Sequence, residues 1–248
     1  MNRSDFLVSD LHLGAAPPAT EAAFLRFAAW LQPRAASLWI VGDLFDFWFE
    51  WGDLVPGMHF RTLAALRALV DAGVPVSLVG GNHDAWGGAF LRQHVGVAVV
   101  DGPLRVRLGG REALVAHGDG VGRGDLKYRT LKGVIRSRPA VAAFRLLHPE
   151  IGLGLARRVS TTGDKLETDS RLQGRAVHIR EWARAQLLQE PRLGLVVCGH
   201  SHRAEVLEVR SDGYYVNAGD WLARFPYVEA SPGEAPRLHY WDGSAADR

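Results

Sequence analysis

Val74-Pro75-Val76-Ser77-Leu78-Val79-Gly80-Gly81-Asn82-His83-Asp84 sets the reading of this chain. A short apolar run rich in valine predicts a buried strand, and it ends on two glycines followed by an amide, an imidazole and a carboxylate. Alone, the polar tail could be only a turn, since Gly, Asn and Asp are ordinary turn formers. The same plan recurs on both sides. Phe6 to Ser9 runs into Asp10-Leu11-His12, and Leu38 to Val41 into Gly42-Asp43-Leu44-Phe45-Asp46. Further on, Ala113 to Ala116 delivers His117-Gly118-Asp119, and Leu195 to Cys198 delivers Gly199-His200-Ser201-His202. Helical spacing over Ala19 to Leu31 and His59 to Ala72, the second closed by Gly73, separates the first three strands. Strand and helix in alternation predict parallel βαβ units, whose sites gather at the carboxyl ends of the strands.

The rest of the chain departs from that alternation. Val97 to Val115, with Arg105 and Arg107 between apolar partners and a break at Gly109-Gly110, predicts a β-hairpin. Asp125 to Arg158 has helical spacing broken by Pro139 and His148-Pro149, and Asp169 to Gln189 predicts a long amphipathic helix. Short strands return at Leu195 to Cys198, Ala204 to Val209, Tyr214 to Asn217 and Arg237 to Trp241, and are expected to complete a second sheet. A length of 248 residues with 47% hydrophobic content fits one domain over 1–248, with a helical cap inserted at about 123–168.

Formal net charge is only +2, yet Arg123 to Arg158 holds nine Lys and Arg against Asp125 and Glu150, a local net of +7. Such a patch suits a phosphorylated ligand, anionic lipid or nucleic acid, and a solvated helical face explains it as simply. The segment lacks the repeated aromatic platforms of a strand-binding channel, which disfavours nucleic acid. Cys198 is the only cysteine, so there is no internal disulfide framework and a cytosolic setting is expected. The N-terminus has no apolar core of signal-peptide length, and no uncharged apolar run approaches the roughly 18 residues of a spanning helix.

The chemistry lies in the strand-end motifs taken together. Asp10 and His12 are two apart, as are His200 and His202, and extended alternation would point each pair one way. Asp43, behind a glycine that permits close backbone approach, is a carboxylate able to bridge two cations. Asp, Asn and His without a thiolate disfavour a structural zinc cage and suit Mn²⁺ best, with Fe, Zn or Mg²⁺ also accommodated. Two such ions roughly 3.5–4 Å apart would bind a phosphate between them and supply a nucleophile for in-line attack.

Asp-x-His, Gly-Asp-x-x-Asp, Gly-Asn-His-Asp, His-Gly-Asp and Gly-His-x-His, spanning residues 9 to 202, resemble the full signature of the calcineurin-like metallophosphoesterases. That resemblance implies a four-layer α-β-β-α sandwich of two mixed sheets with the helical cap inserted. It implies one metal on Asp10, His12, Asp43 and His202 and a second on Asp43, Asn82, His117 and His200. It further implies that His83 stabilises or protonates the leaving oxygen, oriented by Asp84.

Within that superfamily the chain is similar to the UDP-2,3-diacylglucosamine diphosphatases of lipid A biosynthesis. The similarity lies in Asp43-Leu44-Phe45-Asp46-Phe47-Trp48, in Asp125 and Tyr128 after the fourth motif, and in Arg157-Arg158-Val159-Ser160. It implies a nucleotide-lipid substrate touched by Asn82, Asp125, Tyr128, Arg157, Ser160, Lys165 and His200, cleaved at the α-phosphorus to UMP and 2,3-diacylglucosamine 1-phosphate. It also implies a peripheral protein on the cytoplasmic face of the inner membrane. Nothing in the sequence bears on an oligomeric state. His83 departs from the best-known proteobacterial members, which carry Arg there. A phosphodiesterase or phosphomonoesterase for another nucleotide or lipid is the alternative, and a scaffold that has lost its ligands is disfavoured by their full retention. Trp48, Phe49 and Trp51 could face membrane, substrate or core.

Overall fold

The structure is a computed structural model that describes residues 3–84, 86–121, 130, 133–164 and 169–243; the side chains of 157, 159–164 and 169–172 lie outside that description. Strands β1 (Ser4–Val8), β2 (Ala35–Ile40), β3 (Val76–Val79) and β4 (Ala98–Val100) run parallel. With β10 (Pro226–Ala230) and β11 (Arg237–Tyr240) they make a six-stranded sheet in the order β11-β10-β1-β2-β3-β4. The second sheet has the order β5-β6-β7-β9-β8, from β5 (Leu104–Leu108), β6 (Arg111–Val115), β7 (Leu193–Cys198), β8 (Glu205–Arg210) and β9 (Gly213–Asn217). Both sheets mix parallel and antiparallel pairs.

Period-two geometry explains why these strands read as unbroken apolar runs. Leu7, Val41 and Val79 meet Val115, Leu195, Val197 and Val216 between the sheets. Their neighbours Phe6, Val8, Leu38, Ile40 and Leu78 face the opposite way, against helices. Helix α1 (Pro18–Leu31) begins on a proline whose fixed φ suits a first turn. It buries Ala23, Phe24, Phe27, Ala28 and Leu31 on one stripe. Beside it, α2 (Phe60–Asp71) contributes Leu63, Leu66 and Leu69. On the far side α5 (Asp169–Gln189) lays Ile179, Ala183 and Leu187 over Leu114, Val196, Cys198 and Tyr215. The result is the expected α-β-β-α sandwich, in which each fully buried Leu, Val or Phe contributes about 1.5–3 kcal/mol.

Two expectations are corrected. Val97 to Val115 is not one hairpin: β4 closes the first sheet, and only β5 and β6 pair antiparallel across Gly109-Gly110. The C-terminal strands do not all complete the second sheet. Strand β10 pairs antiparallel with β1 and β11 with β10, because Val228 and Ala230 fill the space between the sheets. On the helical side of the same strands, Tyr227 and Trp241 pack on Phe27 at ring separations of 5.0 and 5.4 Å.

Between β6 and β7 the chain also carries α3 (Arg138–Arg145), started by Ser137 accepting from Ala140 N, and α4 (Pro149–Asp164). Phe144 rests against Phe49 at 4.8 Å and Trp51 at 5.9 Å between ring centroids. Trp48, Phe49 and Trp51 are all buried in the core, and Phe49 and Trp51 form the seat for these helices. A Cβ on Gly152 would lie 2.7 Å from Trp51 Cζ2, whereas one on Gly154, also in α4, would meet nothing within 4 Å. Helix propensity alone favours alanine over glycine by about 1 kcal/mol at either position. Gly154→Ala should therefore slow amide exchange across α4 while Gly152→Ala speeds it; equal protection by both would contradict the Trp51 contact.

Candidate metal centre

All five strand-end motifs converge where the two sheets present their carboxyl ends. The first two loops are zipped by backbone bonds, Asp10 N to Gly42 O at 3.1 Å and His12 N to Asp43 O at 3.0 Å. Asp10, His12, Asp43, His200 and His202 have φ of 52°, 47°, 53°, 64° and 58°. Left-handed backbone, not extended alternation, therefore aims both residue pairs, at about 1–2 kcal/mol per residue. Side chains hold these turns: Asp10 Oδ2 accepts from His200 N at 2.9 Å, and Asp43 Oδ1 accepts from His83 N at 2.9 Å.

Asp43 is the common centre. Its Oδ2 lies 3.9 Å from His12 Nε2 and 3.2 Å from His117 Nε2, and His117 Nε2 is also 3.2 Å from Asn82 Oδ1. Asp10 Oδ1 lies 3.5 Å from His202 Nε2 and 3.9 Å from His12 Nε2. Ligand-capable atoms thus form one cluster of Asp10, His12 and His202 and another of Asp43, His117 and His200, with a third set, His12, Asp43 and His83, sharing members with both, each within 4.8 Å. Two glycines make the approach possible. A Cβ on Gly42, at φ +86°, would sit 2.2 Å from His117 Nδ1, and one on Gly81 would sit 2.1 Å from Asp43 Oδ1.

Burying so many polar groups perturbs their protonation. Burial would raise Asp43, but His117 beside it more than reverses this and holds it well below the usual carboxylate range. Burial would lower His117, yet Asp43 pushes it up to about 10. Burial and the Asp43 charge raise Asp84 to about 6, while burial and cationic His117 keep His200 well below ordinary histidine. Burial lowers His12 against the pull of Asp43 and Asp10.

A divalent cation fits this cradle. Asp10 Oδ1 and His12 Nε2 are buried without a hydrogen-bond partner, a cost on the order of 1–3 kcal/mol for each such atom. Both belong to donor sets of hard oxygen and imidazole nitrogen. The calcineurin-like phosphoesterase family profile matches residues 6–204, and all five motifs lie inside that match. This chain belongs to the calcineurin-like phosphoesterase family. It is a metal-dependent phosphoester hydrolase.

Among similar proteins of this family, "UDP-2,3-diacylglucosamine hydrolase" of Klebsiella pneumoniae subsp. pneumoniae is 28% identical over 236 residues, covering 94% of this chain and 97% of its own. The protein of the same name from Porphyromonas gingivalis is 27% identical over 264 residues, covering 98% and 96%. Among solved structures, wild-type Vps29 complexed with Zn²⁺ from Entamoeba histolytica aligns at a TM-score of 0.42, with 14% identity over 97% of this chain and 99% of that one.

Of the expected site residues, Asp10, His12, Asp43, Asn82, His83, Asp84, His117, His200 and His202 come together. Asp125, Tyr128 and Lys165 lie outside the described residues; Arg157 and Ser160 lie on α4, with their side chains outside that description. Asp84 does not orient the His83 ring. Its carboxylate accepts from Leu44 N at 2.7 Å and Gly81 N at 2.9 Å, bracing the loops instead. Asp46 takes the orienting part: its carbonyl faces His83 Nδ1 at 2.8 Å, and its carboxylate lies 3.6 Å away. The repeated Asp of Gly-Asp-x-x-Asp was the available signal. Glu50 was equally hidden, although its carboxylate accepts from Gly88 N at 2.6 Å and Ala89 N at 2.9 Å, fastening the chain after His83. From the basic segment, Arg136 donates to Gly81 O.

Because the folded pKa of His117 lies above the ordinary 6.5, its contribution is full below pH 6.5 and lost as pH rises toward 10. Melting in the presence of chelator should therefore show Tm falling across that window, and His117→Gln should flatten the slope. A flat wild-type profile would contradict the His117–Asp43 pairing. Metal must displace that proton, so affinity near pH 7 should rise with pH and uptake should release protons into buffer.

Proposed function

We propose that this chain hydrolyses UDP-2,3-diacylglucosamine to UMP and 2,3-diacylglucosamine 1-phosphate (lipid X) in lipid A biosynthesis, using two Mn²⁺ ions. The supporting observation is that the named hydrolase relatives align over 94% or more of a chain built around the Asp43-centred site. Asp10, His12, Asp43 and His202 would hold one ion, and Asp43, Asn82, His117 and His200 the other. Such ions, when bound, neutralise phosphoryl oxygens and acidify water.

The remaining chemistry belongs to side chains. An oxygen–phosphorus bond forms at the α-phosphorus, and the bond to the bridging oxygen breaks on the opposite side. His83 is half-buried, and Asp43 and Asp46 raise its affinity for protons against the effect of burial. A carbonyl can only accept, so Asp46 O keeps the Nδ1 proton and turns Nε2 away from it. Cationic His83 can then donate from Nε2 to the departing phosphate oxygen, with Asp84 bracing the loop. A cap over about 123–168 would supply Asp125, Tyr128, Arg157, Ser160 and Lys165 to the nucleotide-lipid beside Asn82 and His200. Leu146, Ile151 and Leu155 are 88%, 63% and 49% exposed on that segment, beside exposed Arg138 and Arg145. This mixture suits peripheral attachment to the anionic cytoplasmic face of the inner membrane. No helix among the described residues is long and apolar enough to cross a membrane.

A second reading, hydrolysis of another nucleotide or lipid phosphate, draws on His83, which suits phosphoester chemistry without reference to acyl chains. Release of UMP with Mn²⁺ from UDP-2,3-diacylglucosamine and from UDP-N-acetylglucosamine separates the two. Strong preference for the acylated sugar is expected, and equal turnover would favour the second reading. Asp43→Ala should lower both rates by on the order of 10²–10³ or more; unchanged activity would overturn the metal assignment. Tyr128→Ala and Arg157→Ala should weaken lipid turnover far more than cleavage of a small phosphodiester.

A further inference from the structure

The five motifs end at residue 202 and the family match at 204, yet the chain returns to the site between Asn217 and Trp221. Asn217, fully buried, donates from Nδ2 to Gly199 O at 2.8 Å and accepts from Gly219 N at 3.1 Å. Ser9 Oγ donates to Gly219 O at 2.7 Å, and Trp221 N donates to Asp10 O at 3.1 Å. Trp221 is itself fixed, its Nε1 donating to Pro226 O at 2.6 Å and its carbonyl accepting from Thr20 Oγ1 at 3.0 Å. This strap therefore joins the first and fifth motifs, which lie about 190 residues apart in sequence. Held inside it is Asp220, whose Oδ2 lies 3.7 Å from His202 Nδ1 while His202 Nε2 faces Asp10 Oδ1.

We propose that Asp220 is a positioning residue for the metal centre: its carboxylate receives the Nδ1 proton of His202 and so presents the Nε2 lone pair toward the ion shared with Asp10 and His12. Imidazole ligands need such a partner, because the hydrogen bond on one nitrogen decides which nitrogen is free to coordinate. The other oxygen, Oδ1, accepts from Leu222 N at 3.0 Å, so the carboxylate is anchored on the strap while facing the ring. At 3.7 Å the pair is an ion-pair contact longer than a hydrogen bond, and the proposal requires it to shorten when the ion binds. The inference rests on reading His202 as a metal ligand.

Asp220→Asn keeps an oxygen for the Leu222 contact and removes the charge; Asp220→Ala removes both. Manganese affinity by chelator competition should fall ten- to hundredfold in Asp220→Ala, with a smaller fall in Asp220→Asn. Nitrogen chemical shifts of His202 in metal-free protein should show the Nδ1–H tautomer in the wild type and a mixture in both variants. His202→Ala separates the possible failures. If it weakens Mn²⁺ binding and neither Asp220 variant does, this inference is wrong; if it leaves binding intact, the ligand assignment beneath it is wrong. A melting point lowered in Asp220→Ala with wild-type affinity and tautomer in Asp220→Asn would reduce Asp220 to a turn residue and overturn the proposal.

Discussion

Asp43 carries a charge at 1% exposure, and most of the molecule can be read as a means of keeping it there. An isolated buried carboxylate would take up a proton, since removing its charge from water costs several kcal/mol. Here His117 answers it at 3.2 Å and His83 N at 2.9 Å, while Gly81 gives way to let the side chain in. Three strand ends from two sheets must therefore be held in register around one oxygen pair. The apolar layer between the sheets, from Leu7 to Val228, supplies the rigidity.

Local conformational cost concentrates in the same place. Of the seven non-glycine residues with left-handed backbone among the described residues, five are candidate ligands, held there by the zipped loops and the strap from Asn217 to Trp221. Asp84 illustrates the trade: turned from the expected His83 ring to three backbone amides, it acquires a raised proton affinity near 6 as a buried acid beside Asp43. Its removal would loosen two loops at once.

Much of the fold was legible because strands buried on both faces write continuous apolar runs, and because glycine marks their ends. The long helix from Asp169 to Gln189 was read at its observed limits. Destination was harder to read than existence. Val97 to Val115 divides between two sheets, and Pro226–Ala230 went unread as a strand, because alternating residues look the same whichever sheet receives them. Of the site, residue types and order were visible. Asp46, Glu50 and Asp220 were not, since each acts through a backbone amide, a carbonyl or a ring edge contributed by a distant segment.

By itself, then, the sequence determined the strand-end motifs and the donor chemistry without thiolate, and through the resemblance those motifs carry it implied the family and its four layers. The motifs and their chemistry depend on residue type and short-range period, which a linear chain records directly. Only the tertiary structure decided that left-handed turns aim Asp10, His12, His200 and His202, that Asp43 Oδ2 faces both clusters, and that the C-terminal hairpin returns to the first sheet. Such features arise from distances between segments up to about 200 residues apart, set by packing between the sheets and by hydrogen bonds whose partners share no local pattern.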